Sequence, residues 1–293
     1  MPNKIRIVTD SSAQFIREEV IARYEITVIP LNIVWDGQLF REGIDVLPDE
    51  FYARLVEKPV VPHLLPPTIE HITAVYQKLA ATTDQILSIH LSGLMHNTVV
   101  QAKKAAEPFL GRVNIQVVDS QSIAVNLGAL VEKAAELAEQ HLDMDEVVHT
   151  IRKIIPRMYA VFQANRLEYL RAYNLMSESQ AILGSMLGIK PIVTIEDGEL
   201  QAIEKSCSPQ QSIDRLVEFV TEFEHFEHVM LFQGEALNQP NDLLQAVIDR
   251  LKLEFRDQEY PLMRYNPSLA CFIGPDASGA MVLEAEDALD NEN

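Results

Sequence analysis

Residues 86–103 read ILSIHLSGLMHNTVVQAK, and their pattern decides the fold. Ile86 to Leu91 is a short, mostly apolar run, which suits a strand covered on both faces. It stops at Ser92-Gly93-Leu94, small residues that suit a tight loop. A helix is predicted from about Asn97. Buried strand, short loop and helix in direct succession are the repeating half of a parallel α/β sheet. The same succession lies on either side. Upstream, Lys4 to Val8 (KIRIV) runs into Thr9-Asp10-Ser11-Ser12, and Gln14 to Tyr24 then carries Phe15, Ile16, Val20 and Ile21 at helical spacing. Downstream, Val113 to Val118 ends in Asp119-Ser120-Gln121-Ser122, and a long helix is predicted from roughly Ile123 to His141.

Between these units, Ile26 to Trp35 is β-rich and closes at Asp36-Gly37, a hairpin signal. Asp49 caps a helix, DEFYARLVEK. Pro59, Pro62, Pro66 and Pro67 exclude helix or central strand and predict a stiff exposed or cleft-lining loop. Thr68 caps a helix through Ala80, and Asp143 starts another that Pro156 ends. The second half differs. Tyr159 to Ala164 reads as a strand, and Pro191 to Ile203 turns at Asp197-Gly198 as a hairpin. Helices near Gln210 to Phe223 and Asn241 to Phe255 flank a strand at Val229 to Phe232. Tyr260 to Arg264 and Leu269 to Ile273 read as further strands. The expected architecture is α/β with two domains. The first, 1–158, has a mostly parallel sheet with helices on both faces. The second, 159–293, is α+β with a mixed or antiparallel sheet.

Lys and Arg number 24 against 43 Asp and Glu, a net charge of −19. Such a surface repels phosphate backbones and anionic headgroups, so nucleic acid is not an expected partner. Part of the charge sits in residues 284–293, which read as a frayed acidic end. No stretch approaches the roughly 20 apolar residues of a membrane span, so membrane insertion is not expected. The start MPNKIRIVTD has no signal-peptide pattern, and Cys207 and Cys271 form no C-x-x-C; a reduced cytoplasm is expected.

Ligands of parallel sheets gather at the carboxyl ends of the strands. Three predicted strands end in hydroxyl-bearing loops, at Thr9, His90 and Asp119, and these loops are either ligand contacts or caps of the following helices. His225 and His228 share H-x-x-H spacing, which a helix would present on one face, but no third metal ligand lies nearby. No metal and no cofactor is expected: GxxxxGK[ST] and GxGxxG are both absent. Ser92 after a buried strand resembles a hydrolase nucleophile without its G-x-S-x-G frame, and His90, two residues away, would face the same side.

These loops, in this order, resemble the DegV family of bacterial fatty-acid-binding proteins. VTDSSAQF is similar to that family's V-T-D-S-S-A-D, and IHLSGLMHNTVVQAK tracks its I-H-I-S-S-G-L-S-G-T-Y-Q-S-A-K. IPLNIVWDGQLFREGIDV, VVDSQSIAVNLG, LEYLR and KPIVTIEDGEL resemble further family segments. The resemblance implies a two-domain, non-enzymatic carrier with one acyl chain in a tunnel between the domains. It implies a long-chain fatty acid or related acyl lipid as partner, and a fatty acid kinase as partner of some members. Apolar tunnel wall is expected from Leu183, Met186, Leu187 and Ile189.

The resemblance also implies a headgroup clamp, and this sequence departs from it. The clamp Thr falls on Leu64, or on His63 with a shift of one. The second Ser of the S-S motif falls on Gly93, leaving Ser92. The clamp His falls on Phe272. The family's R-G-G-R becomes Ala172-Tyr173-Asn174-Leu175, and a basic stretch becomes 206–211, SCSPQQ, which weakens the case for kinase docking. Two outcomes are open. The ligand head is neutral, or His63, Ser92, His96 and Asn97 form a different polar clamp. A serine hydrolase using Ser92 and a binding module for a non-lipid small molecule are the alternatives in other functional classes.

Overall fold

The computed structural model describes residues 4–17, 19–57, 60–234, 239–256 and 258–286. They divide into two compact units. The first takes the described residues of Met1–Ile155 with Asp197–Glu199 and Asn266–Cys271. The second takes those of Pro156–Glu196, Leu200–Tyr265 and Phe272–Asn293.

In the first unit the elements are β1 (Arg6–Asp10), α1 (Glu19–Arg23), β2 (Thr27–Ile29), β3 (Asn32–Trp35), β4 (Gln38–Arg41), α2 (Pro48–Glu57), β5 (His63–Leu65), α3 (Ile69–Ala80), β6 (Gln85–His90), α4 (Thr98–Ala106), β7 (Asn114–Asp119), α5 (Ala124–Glu139) and α6 (Met144–Ile154). A wholly parallel sheet runs in the order β2-β1-β6-β7. Val8 and Ile86 on one face pack with Ile72, Tyr76 and Leu79 of α3 and Ala102 and Ala105 of α4. Helix α5 packs against β1 and β6, whose alternate side chains point to the opposite face. Gly128 of α5 lies so near Gln14 that a Cβ would sit 2.1 Å from its carbonyl oxygen. The caps predicted at Thr68 and Asp143 form: Thr68 accepts from His71 N–H, and Asp143 makes a full capping box with Glu146; Asp49 is not a cap, because α2 already begins at Pro48 and Asp49 lies inside its first turn. A small antiparallel sheet, β4-β3-β5, completes the unit, its hairpin turning at Asp36-Gly37 with both residues at positive φ.

Two further expectations here are corrected. Gln14 to Tyr24 is not one helix; only Glu19–Arg23 is helical. The Gln14 N–H donates to the Ala124 carbonyl and Ala13 bridges to Ala124, so this backbone is bonded across the fold and not to its own next turn. The proline-rich stretch is not all loop. His63–Leu65, between Pro62 and Pro66, is an edge strand, a place where flanking prolines break no ladder bond on the solvent side.

In the second unit the elements are β8 (Met158–Gln163), α7 (Leu167–Ala172), α8 (Glu178–Met186), β9 (Lys190–Glu196), β10 (Glu199–Ser206), α9 (Pro209–Thr221), β11 (Phe226–Gln233), α10 (Asp242–Glu254), β12 (Leu262–Arg264), α11 (Pro267–Ile273) and β13 (Ser278–Glu284). The elements β10 and α11 begin in segments grouped with the first unit. The sheet order is β10-β9-β8-β13-β11-β12, antiparallel from β9 to β11 and parallel at β11-β12, so it is mixed. Helices α9 and α10 cover one face, with Leu216, Val220, Leu244 and Val247 against Val161, Leu231 and Val282.

The expected strand at Leu269 to Ile273 is a helix. Asn266 accepts from Leu269 N–H through its side chain, and Pro267 opens the first turn. His228 lies in β11 and His225 just before it, so H-x-x-H has no helix to align it. Among the described residues no group of three or more His, Cys, Asp or Glu is placed to hold a metal ion. The segment 287–293 of the acidic tail lies outside the described residues.

Candidate functional site

Strands β1, β6 and β7 lie side by side and end at Asp10, His90 and Asp119. Their loops therefore share the carboxyl edge of the parallel sheet, where ligands of such sheets bind. Gln121 in the loop after β7 and Ala124 at the start of α5 both have positive φ, a strained geometry that persists only where the surroundings fix it.

A buried chain of hydrogen bonds crosses this edge. Tyr76 O–H donates to Ser88 Oγ at 2.8 Å, and Ser88 Oγ meets His90 Nε2 at 2.7 Å. An ionised carboxylate can only accept, so His90 donates through Nδ1 to Asp10 Oδ2 at 2.9 Å. Leu91 N–H also reaches Oδ2 at 3.1 Å, while the Ser12 N–H and hydroxyl reach Oδ1 at 3.1 and 2.5 Å. Burial raises the Asp10 pKa, but the bonds from His90, Ser12 and Leu91 outweigh it and hold the carboxyl below its ordinary value. Strand period explains the pairing: Ser88 and His90 face the same side of β6. Ser92 lies beyond the strand and is not the partner of His90. Its hydroxyl donates to the Gly198 carbonyl and accepts from Leu94 N–H.

The sequence candidates fall as follows. Leu64 is buried on β5 and His63 beside it is exposed. His96 is buried; Nδ1 meets Thr98 Oγ1 at 2.8 Å and Nε2 meets the Leu64 carbonyl at 3.3 Å. This second contact joins β5 to the loop after β6. Burial lowers the His96 pKa, against a weaker pull upward from Asp10 and the Leu64 carbonyl. Gly93 N–H donates to the Asp119 carboxylate at 3.1 Å, and a Cβ at Gly93 would lie 2.6 Å from Asp119 Oδ2. The absent side chain at 93 is thus the space that the Asp119 carboxylate uses. Asn97 is exposed and makes no cap bond to α4. In the second unit, Phe272 is buried and its ring lies 4.3 Å from that of Tyr173.

One cluster escaped sequence reasoning. Glu42, after β4, is buried and accepts from Ser11 Oγ at 2.5 Å, from Ser268 N–H at 2.8 Å and from the Ser268 hydroxyl. Asn266 Nδ2 donates to the Ser12 carbonyl at 2.8 Å. Burial pushes the Glu42 carboxyl up to about 7 despite those three donors, and the nearby Asp10 charge adds to the rise. Glu42 and Ser268 stand 226 positions apart, and no short motif could link them. The Asn266-Pro267 pair was a usable signal for the helix that carries Ser268.

The second unit carries an apolar pocket of about 400 Å³. Leu167, Leu175, Leu183, Leu187, Ile189 and Ile203 line it, together with the polar Gln180, Glu204 and Lys205. Of the expected apolar wall, Leu183, Leu187 and Ile189 are here, whereas Met186 is 78% exposed and is not among the lining residues. Leu183 and Leu187 are themselves 59% and 72% exposed, so they are not ordinary core.

Residues 4–285 match the model of a family described as "Uncharacterised protein, DegV family". A DegV domain-containing protein of Caldanaerobacter subterraneus is 29% identical over 283 residues, 96% of this chain and 99% of the relative. One from Listeria monocytogenes is 27% identical over 95% of this chain and 98% of its own. Among solved structures, a fatty acid binding DegV family protein from Streptococcus agalactiae superposes with a TM-score of 0.83 at 20% identity, covering 97% of this chain and all of that one. DegV from Bacillus subtilis, a fatty acid binding protein, gives 0.79 at 23% identity, over 96% of this chain and all of that one. The two folds are alike.

Proposed function

The chain belongs to the DegV family, and from that premise we propose that it is a non-enzymatic carrier of a long-chain fatty acid or a related acyl lipid. The observation that carries this reading is the apolar pocket of the second unit. Its volume of about 400 Å³ falls in the range of small-molecule sites, and its lining is mostly apolar, with Gln180, Glu204 and Lys205 as its polar members. Each methylene removed from water contributes roughly 0.8 kcal/mol, so about ten of them offset a typical association cost without help from a headgroup. The fatty-acid-binding relatives from Streptococcus agalactiae and Bacillus subtilis support the same reading.

Hydrolysis is not favoured, because Ser92 and His90 bond to different partners and lack the nucleophile–base contact that such chemistry needs. The candidate residues Leu64, Ser92, Gly93 and His96 are the proposed surroundings of the ligand's polar end, with His63 and Asn97 at the exposed rim; Phe272 is a proposed apolar contact. A cytoplasmic location is part of the proposal: Cys207 is an exposed free thiol and Cys271 a buried one. Among the described residues no helix is long and apolar enough to cross a membrane. Docking to a fatty acid kinase is left out of the proposal. The stretch 206–211 is uncharged, and its side chains are used to cap α9, Ser208 accepting from Gln211 N–H and Gln211 from Cys207 N–H.

Titration of delipidated protein with a fluorescent fatty acid tests the pocket. Saturable binding is expected, weakened at least about ten-fold by Leu183→Asp, which places a charge against the apolar lining at an exposed and therefore tolerant position. No saturable binding, or full affinity in the variant, contradicts the proposal.

A further inference from the structure

The apolar pocket of the second unit carries one unclaimed charge. Of its lining residues only Glu204 and Lys205 are charged. They are neighbours on β10, so their side chains leave opposite faces of the strand. Glu204 is held by Arg215 of α9 in a two-point contact at 2.6 and 2.9 Å, and α9 is one of the helices that cover a single face of this sheet. Lys205 therefore projects from the other face, the one it shares with Ile203, an apolar lining residue. Lys205 is exposed, and among the described residues its ammonium has no ion pair and no hydrogen-bond partner.

Nearby carboxylates are already paired. Glu178 of α8, the helix that supplies Gln180 and Leu183 to the lining, is bonded to Arg171 at 3.0 Å. Glu218 of α9 shares Arg215 with Glu204. The stretch 206–211, which follows Lys205, is uncharged. The wider setting gives the free ammonium its weight. The chain carries a net charge of −19, and its mean field repels an approaching anion. At physiological ionic strength, charges beyond roughly 8 Å are largely screened, so near the pocket the local groups decide. An ammonium and a carboxylate about 5 Å apart in water attract enough to raise the local anion concentration about four-fold. An apolar wall edged by one free cation suits an amphiphile with an anionic head.

We infer that Lys205 is the capture residue of this pocket: it draws in the ionised head of a fatty acid and sets how fast the ligand enters. This role rests on the carrier reading. It belongs to the encounter and makes no demand on where the head finally rests.

Association is followed by stopped flow with a fluorescent long-chain fatty acid and with its methyl ester, which has the same chain and no charge. Delipidated wild type is compared with Lys205→Gln and Lys205→Glu, both at an exposed position. At about 10 mM salt, where screening is weak, the acid is expected to associate about four-fold more slowly with Lys205→Gln and at least about ten-fold more slowly with Lys205→Glu. At about 0.5 M salt these gaps are expected to close to less than about two-fold. The ester is expected to associate at one rate with all three proteins. Equal rates for the acid, gaps that persist at high salt, an ester slowed as much as the acid, or binding of the ester alone overturns the inference and leaves the carrier reading standing. No saturable signal with either lipid overturns the carrier reading and the inference with it.

Discussion

Asp10→Ala is expected to destabilise the protein by about 3–5 kcal/mol, read as a lowered urea midpoint at neutral pH. The size follows from what the substitution leaves behind. Asp10 is fully buried and accepts four bonds, from His90, Leu91 and two groups of Ser12. Without it these donors lie in a dry interior with no acceptor. Tyr76→Phe is the graded control. It removes the outermost donor while Ser88 keeps its bond to His90, and a loss of about 1 kcal/mol is expected. The acid side has a definite sign. The folded Asp10 pKa lies below its ordinary value of 3.8, so its stabilisation is complete above that value and is lost as pH falls through the folded one. A loss below about 1 kcal/mol for Asp10→Ala would sink the view that this chain of bonds fixes the strand ends.

Glu42 acts in the opposite direction. Its folded pKa, about 7, lies above the ordinary value of 4.5. Between those values the folded protein binds a proton that the unfolded chain does not, so stability falls as pH rises. The interval of about 2.5 units corresponds to roughly 3 kcal/mol, gone by pH 8. His96 opposes this: its lowered pKa adds stability as pH rises toward 6.5, the ordinary value. The difference between wild type and Glu42→Gln therefore isolates Glu42. Glutamine keeps one carbonyl acceptor for Ser268 and carries no charge. The variant is expected to gain on wild type progressively from pH 5 to pH 8. A difference that is constant with pH, or that grows toward acid, contradicts a buried and reluctantly ionised carboxyl.

The parallel sheet was legible because its evidence is local. KIRIV-TDSS, ILSIHL-SG and VNIQVV-DSQS each carry strand, stop and loop within a few residues, and all three strands formed beside one another. The hairpin turns at Asp36-Gly37 and Asp197-Gly198 were legible for the same reason, since their positive φ values restrict the residues that fit. Helix α11 was not legible by periodicity. Ser268 to Ile273 is buried on every side, and an apolar run with no wet face has no period to read. Strand β13 failed likewise, its first six residues being buried at the middle of the sheet. At the site, Ser92, Gly93 and His96 were found from their loop. What each is bonded to was not. Asp10 meets His90 across 80 positions and Glu42 meets Ser268 across 226, separations that no local motif spans.

The most direct test is the identity of what the protein carries. Freshly expressed protein is purified, extracted with organic solvent, and the extract analysed by mass spectrometry. A long-chain acyl species in near-stoichiometric amount is the expected result. An extract with no acyl species, from protein that is folded and has never met detergent, would contradict the carrier account.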